Sequence, residues 1–390
     1  MEPVDVVEFG GLRDGGRPGR SWPRWLPLVI VAGIVVALVV RNEVAGHSAA
    51  PEPTATPTAI GASPTSGPTS SPTSVPAPVV VTNVGHRLLG VTGRWELFGR
   101  GWEGMVRVEL ARGRVTKTTV PPLSSTGPVS FVVRRNWAII RPLDRVDGYL
   151  VPDGRPAHRL AGALDGAGPA LPGPDDDTVW VQAGSPDHTT MALVGPDGRS
   201  TGVSVRLPAD ANGFAASDHN GRLTFYATGG VYLAGPTGTR RITSGNLVAV
   251  GPTRWLVREC DDRHRCATVV VNRTTGARRT LDVKVDLRDV SAGLIAPDGS
   301  AAALLVNTQA GLVAAHLLDL SSGRDRRLDV PIDQRYDESV TAWSPDGRWL
   351  FIAGADGKLF PVYAATGRVH DLGVPLPPIT QLAIRAAAAP

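Results

Sequence analysis

Cys260 and Cys266 are the only thiols in the 390-residue chain, and they bracket Asp261-Asp262-Arg263-His264-Arg265. Thiols at this spacing offer two chemistries. A disulfide would staple the two ends of a hairpin loop, contributing about 2 kcal/mol in the chain-entropy treatment. A metal site would recruit His264, but no fourth ligand lies nearby and the C-x-x-C spacing of zinc sites is missing. The disulfide is the favoured reading, because the export argued below places the pair in an oxidising compartment.

The remaining residues assemble no catalytic constellation. The eight histidines (His47, His86, His158, His188, His219, His264, His316 and His370) are scattered, and no pair has metal-ligand spacing on one element. There is no H-E-x-x-H, no G-x-S-x-G elbow and no phosphate-cradling glycine loop before a helix. Asp175-Asp176-Asp177 is the densest acidic run. It reads as a solvated loop rather than a calcium site, since EF-hand spacing is absent; Asp144 and Asp147 read the same way. Trp95, Trp137, Trp180, Trp255 and Trp349 would form a carbohydrate-stacking platform if exposed together. Their recurrence at one position of a repeat argues for packing between repeats instead. No catalytic, cofactor-binding or metal residue is assigned.

That repeat supplies the elements. Gly113, Gly154, Gly198, Gly238, Gly276, Gly323 and Gly367 each sit in a polar turn, at successive intervals of 41, 44, 40, 38, 47 and 44 residues. About twenty residues before most of them lies an aromatic-rich strand, such as Trp137-Ala138-Ile139-Ile140 or Trp349-Leu350-Phe351-Ile352. A second turn precedes that strand, Pro297-Asp298-Gly299 and Pro345-Asp346-Gly347 being the clearest. A period near forty with about four short strands per unit predicts an all-β propeller, most simply of seven four-stranded blades. Six or eight blades stay open, because the first unit is the least regular. Ring closure has two candidates: Ile379–Ile384 adds a strand to the first blade, or Val79–Val84 completes the last.

Ala342-Trp343-Ser344-Pro345-Asp346-Gly347-Arg348-Trp349-Leu350-Phe351 resembles the WD-like repeat of TolB-type propeller proteins, and Leu294–Ala301 is a weaker copy. The good match covers the last two units, roughly a quarter of the chain. The resemblance implies a propeller fold and a tendency to bind partners, and it transfers no catalytic residue. With the N-terminal features below, the type expected is a membrane-anchored one from a high-GC Gram-positive (actinobacterial) source.

Leu26–Val40 is an uncharged run bounded by Arg24 and Arg41, with Arg13, Arg17 and Arg20 on its N-terminal side. As a helix it would span about 22 Å, shorter than the roughly 30 Å hydrocarbon core, with Trp22, Trp25 and the arginines bridging the interfaces. The positive-inside rule keeps the N-terminus cytoplasmic and exports the rest. Signal cleavage and secretion is the competing reading. Between Pro51 and Pro78 stand eight prolines among Ser, Thr, Ala and Gly, a composition that extends rather than folds. The predicted organisation is a cytoplasmic tail (1–24), a transmembrane helix (25–41), a disordered linker (42–80), a propeller (81–385) and a frayed tail (386–390).

The net charge is +4, and only three of the 40 basic residues are lysine. Such arginine bias suits a high-GC genome, so it does not by itself point to nucleic acid. Arg263, Arg265, Arg278, Arg279, Arg324, Arg326 and Arg327 lie close in sequence and would form one basic rim or a solvated loop face. The expected function is an anchored extracytoplasmic binding or scaffolding module for a protein or cell-envelope polymer, without nucleic acid or small-molecule cofactor. A propeller-type glycan hydrolase or lyase, with its site in the central channel, is the alternative. An extracytoplasmic sensor is a third reading, weakened by a cytoplasmic segment of only about 24 residues.

Overall fold

A computed structural model describes residues 79–123, 127–144, 146–183, 189–218, 220–308, 312–332 and 338–386. The predicted cytoplasmic tail, transmembrane helix and nearly all of the linker lie outside them. Among the described residues no helix is long and apolar enough to cross a membrane; the helical segments are four single 3-10 turns.

The chain is an all-β propeller with four-stranded antiparallel blades. Sheets I to VI follow chain order. Sheet I holds Trp95–Arg100, Gly104–Glu109 and Arg114–Thr119, sheet II spans 129–159, sheet III 170–206 and sheet IV 212–243. Sheet V has eight strands and spans 246–327, and sheet VI spans 341–369. In sheets II to VI the first strand of each meander lies innermost. Innermost strands touch between I and II, II and III, III and IV, the two meanders of sheet V, the second of these and VI, and VI and I.

Seven separate sheets are expected from the glycine repeat. Five sheets stand alone as blades, and two meanders merge into sheet V: Va (246–281) and Vb (290–327). They join through one parallel pair, Val250 with Leu294. Glycine permits the merger. A methyl group on Gly293 would lie 2.2 Å from the Val248 carbonyl oxygen and 2.7 Å from the Ala249 Cβ, so the two inner backbones approach as closely as they do because no side chain intervenes.

Closure follows one of the two expected routes and corrects the other. Gln381–Ala386 pairs with Trp95–Arg100 as the innermost strand of sheet I. Val79–Asn83 does not complete the last blade; it pairs with Arg114–Lys117 as a fifth, outer strand of sheet I. The first blade thus joins both ends of the described chain. Ala386 belongs to this closing strand, which extends the domain one residue beyond the predicted boundary at 385.

Burial explains the strand compositions. The second strand of a blade is sandwiched between neighbouring sheets, so Trp95–Arg100, Trp137–Pro142 and Trp349–Ala353 are buried throughout and read as near-continuous apolar runs. Fourth strands such as Gly238–Thr243 and Arg278–Leu281 are mostly exposed and carry Thr and Arg. The core is a series of layers between sheets: Phe98, Met105, Phe131 and Ile140 between I and II; Trp180, Leu193 and Phe225 between III and IV. The five tryptophans of the repeat are all buried. Trp95 meets Phe351 of sheet VI at a ring separation of 5.8 Å, and Trp180 donates its Nε1–H to the Gly221 carbonyl of the next sheet at 2.7 Å. They are inter-blade packing.

Candidate functional site

Meander geometry gives the ring two unlike faces. Turns joining first to second and third to fourth strands share one face, which carries all seven recurring glycines and the Pro-Asp-Gly turns. We call it the motif face. The turns joining second to third strands, and the links between meanders, share the opposite connector face.

The innermost strands, which line the central channel, carry no Asp, Glu, His, Lys or Cys. Their one ionisable residue is Arg385, and it is engaged. Its guanidinium contacts Glu96 at 2.6 Å and Asp153 at 2.6 Å, donates to the Arg134 carbonyl at 2.7 Å, and lies over the Phe98 ring. Arg107 meets Glu96 and Asp153 from the other side. This network bonds sheet I to sheet II.

On the motif face the polar turn residues build turns. Ser344, fully buried, donates to Asp346 at 2.6 Å and accepts from the Trp349 amide at 2.9 Å. Asp175 accepts from the Asp177 amide and the Thr178 hydroxyl, while Asp176 and Asp177 face Arg134 and Arg135 at 3.9 and 3.7 Å. Among the described residues no group of His, Cys, Asp or Glu could hold a metal ion. His316 bonds Asp325 at 3.0 Å and His370 packs on Trp349; His47, His188 and His219 lie outside the described residues.

The connector face is different. Among the described residues the large apolar side chains left exposed are Trp102, Val146, Tyr226, Leu312 and Val369. The first four lie at this face, in second-to-third turns or at the strand end leading into one. Trp102 edges a cavity of about 170 Å³ lined also by Pro377, Pro378, Ile379 and Lys117. Under this face Arg141, fully buried, donates from Nε to the Gly166 carbonyl at 2.7 Å and from Nη2 to the Ala167 carbonyl at 2.8 Å. Burial pushes its pKa down to about 10 against the opposing pull of Asp165. It fixes the link between sheets II and III. Its residue type inside an apolar strand was the only local signal of this role.

Cys260 and Cys266 form a disulfide in the hairpin of Va. Asp261 organises the loop they close, accepting from the Arg263 and Arg265 amides at 3.0 and 2.9 Å and from the Arg265 side chain at 2.8 Å. Replacing both cysteines with serine is expected to lower stability by about 2 kcal/mol without changing the fold, as thermal unfolding with and without reductant will show. An unchanged unfolding temperature would mean that Asp261 alone holds the loop.

One basic rim is not formed. Arg263 and Arg265 ride the stapled hairpin on the connector face, whereas Arg278, Arg279, Arg324, Arg326 and Arg327 lie at the motif-face ends of fourth strands. Several are spent: Arg265 on Asp261, Arg278 on Glu259, and Arg279 on the Ser321 carbonyl.

No family model matches the chain, and no curated protein does. Solved structures do. A functionally unknown protein from Desulfotomaculum acetoxidans is similar at 12% identity and a TM-score of 0.47, over 75% of this chain and 99% of that one. AztD from Citrobacter koseri is similar at 10% identity and a TM-score of 0.47, over 77% and 100%. TolB from Acinetobacter baumannii is similar at 15% identity and a TM-score of 0.38, over 71% and 62%. Likenesses this distant carry no ligand or activity to this chain.

Proposed function

We propose that this protein is a membrane-anchored, extracytoplasmic propeller that acts as a binding or scaffolding module for a protein or cell-envelope polymer, with a protein partner seated on the connector face. One observation carries the reading: among the described residues four of the five large exposed apolar side chains lie on that face. Exposed Trp and Tyr side chains, here Trp102 and Tyr226, are the residue types that most often anchor interfaces. Innermost strands without paired acids or bases among the described residues support this reading over the glycan hydrolase or lyase alternative. The apolar run Leu26–Val40 with its flanking arginines supports the anchor and its orientation, and the disulfide supports an oxidising location. Secretion after signal cleavage is the outcome that fractionation would show instead. The arginine bias supports a high-GC, actinobacterial source. With the two meanders of sheet V counted as two blades, the ring has seven, as the seven glycines suggest.

The test compares full-length Trp102→Ala/Val146→Ser/Leu312→Ser with a Val369→Ser control, by cross-linking in cells and recovery of a stoichiometric partner. Losing anchors of this kind costs more than about 2 kcal/mol, or over tenfold in affinity, so the triple variant loses the partner and the control keeps it. Equal recovery from both would sink the assignment of the face.

A further inference from the structure

The motif face holds a groove between Vb and sheet VI that the docking surface above does not use. Its volume is about 490 Å³, within the roughly 300–1,000 Å³ range of small-ligand sites. Asp298, Asp319 and Asp346 line it together with Arg324, Arg326 and Arg348. Leu317, Ala301 and Tyr363 contribute apolar surface.

The charges in this groove do not neutralise one another by contact. Among the described residues none of the three guanidiniums makes a hydrogen bond or ion pair. Each carboxylate spends one oxygen on its own turn: Asp298 Oδ1 on the Ser300 amide and hydroxyl, Asp319 Oδ1 on Ser321 and Ser322, Asp346 Oδ1 on Ser344 and the Arg348 amide. Each Oδ2 accepts nothing among the described residues. The carboxylates are therefore held in place with one acceptor spare. Room for two of the side chains comes from absent ones. A methyl on Gly367 would lie 2.5 Å from Arg326 Cδ, and one on Gly347 would lie 3.0 Å from the Asp298 carboxylate carbon.

We propose that this groove binds a neutral oligosaccharide. Three carboxylates balance three guanidiniums, so neither a polyanion nor a polycation gains from the local field. A single metal ion is disfavoured because the carboxylates do not converge into a ligand set. Carboxylates only accept hydrogen bonds and guanidiniums only donate them, whereas a hydroxyl does both. A chain of vicinal hydroxyls satisfies a mixed set of spare acceptors and donors, with the sugar C–H faces against Leu317, Ala301 and Tyr363. This deepens the polymer branch of the function proposed above and rests on it; the site is separate from the connector face.

The experiment applies full-length protein to an array of neutral oligosaccharides of glucose, galactose, mannose, arabinose and N-acetylglucosamine, with oligogalacturonate as the acidic comparison. The best neutral binder is then titrated against Arg348→Ala, Asp298→Asn and Asp319→Asn, whose folding is checked by thermal unfolding. Asparagine keeps the turn-building oxygen and converts the spare acceptor to a donor. A hydrogen bond to a charged group contributes about 1.5–3 kcal/mol, so each variant is expected to bind more than about tenfold more weakly. Binding of no neutral sugar, or tighter binding of oligogalacturonate that strengthens in Asp298→Asn, would overturn the proposal. Neither result would touch partner capture through Trp102, Val146 and Leu312.

Discussion

Arg385→Ala is expected to lower stability by about 3 kcal/mol, the low end of the usual cost of removing one partner from a buried ion pair. The side chain is 8% exposed, as is that of Glu96. Truncating it leaves Glu96 and Asp153, which now share two guanidiniums, with that of Arg107 alone. The Arg134 carbonyl loses its donor as well. The position magnifies the effect, because Arg385 belongs to the C-terminal strand that closes the ring on sheet I. Chemical denaturation should show a lower midpoint, and limited proteolysis should release the C-terminal strand first. A variant as stable as the parent would mean that backbone pairing alone closes the ring. Arg385→Met separates packing from charge, since it retains contact with the Phe98 ring but supplies no positive charge.

The second large effect is expected at Asp218. Its side chain is fully buried and pairs with Arg273, itself 7% exposed, across the boundary between sheet IV and Va. Arg273 also donates to the Gly251 carbonyl at 2.7 Å and stacks over the Trp255 ring at 4.8 Å. Burial lowers the arginine's pKa, and Asp218 opposes that shift. Asp218→Ala would leave this cation buried without its counter-charge, a loss of about 3–5 kcal/mol. It would also release the Asn220 and Arg222 amides, each of which donates to Asp218 Oδ1 at 2.8 Å. Asp218→Asn keeps those two turn bonds and should fall between alanine and the parent in urea denaturation. Equal loss from both would show that the charge matters and the turn does not.

These two residues also mark where the sequence stops being informative. The recurring glycines announce the turns because each adopts a left-handed conformation, with φ between +62° at Gly113 and +123° at Gly238, which other residues resist. The tryptophans announce the second strands because those strands are buried on both faces. The cysteine pair was legible because a hairpin needs only local spacing. Arg385, by contrast, meets Glu96 across 289 positions, and nothing local at either residue signals the other. Arg273 looks like an ordinary turn arginine until Asp218, 55 positions away, comes beside it. The merger of Va with Vb depends on Gly293, which in sequence is one strand glycine among 45 glycines. The groove between Vb and sheet VI is assembled from turns of two neighbouring meanders, so its charge balance exists only after folding. A run of nearby arginines suggested a rim that the alternation of faces then divided.

If the partner docks on the connector face, as proposed, its contacts fall there and not in the channel. A photoreactive amino acid placed at Trp102, at Leu312 or at Ala383 of the innermost strand, one at a time, in the full-length protein in its own cells, reads this out. One shared cross-linked partner from Trp102 and Leu312, with none from Ala383, is the expected result. A cross-link confined to Ala383 would contradict it and return the channel to consideration as the working site.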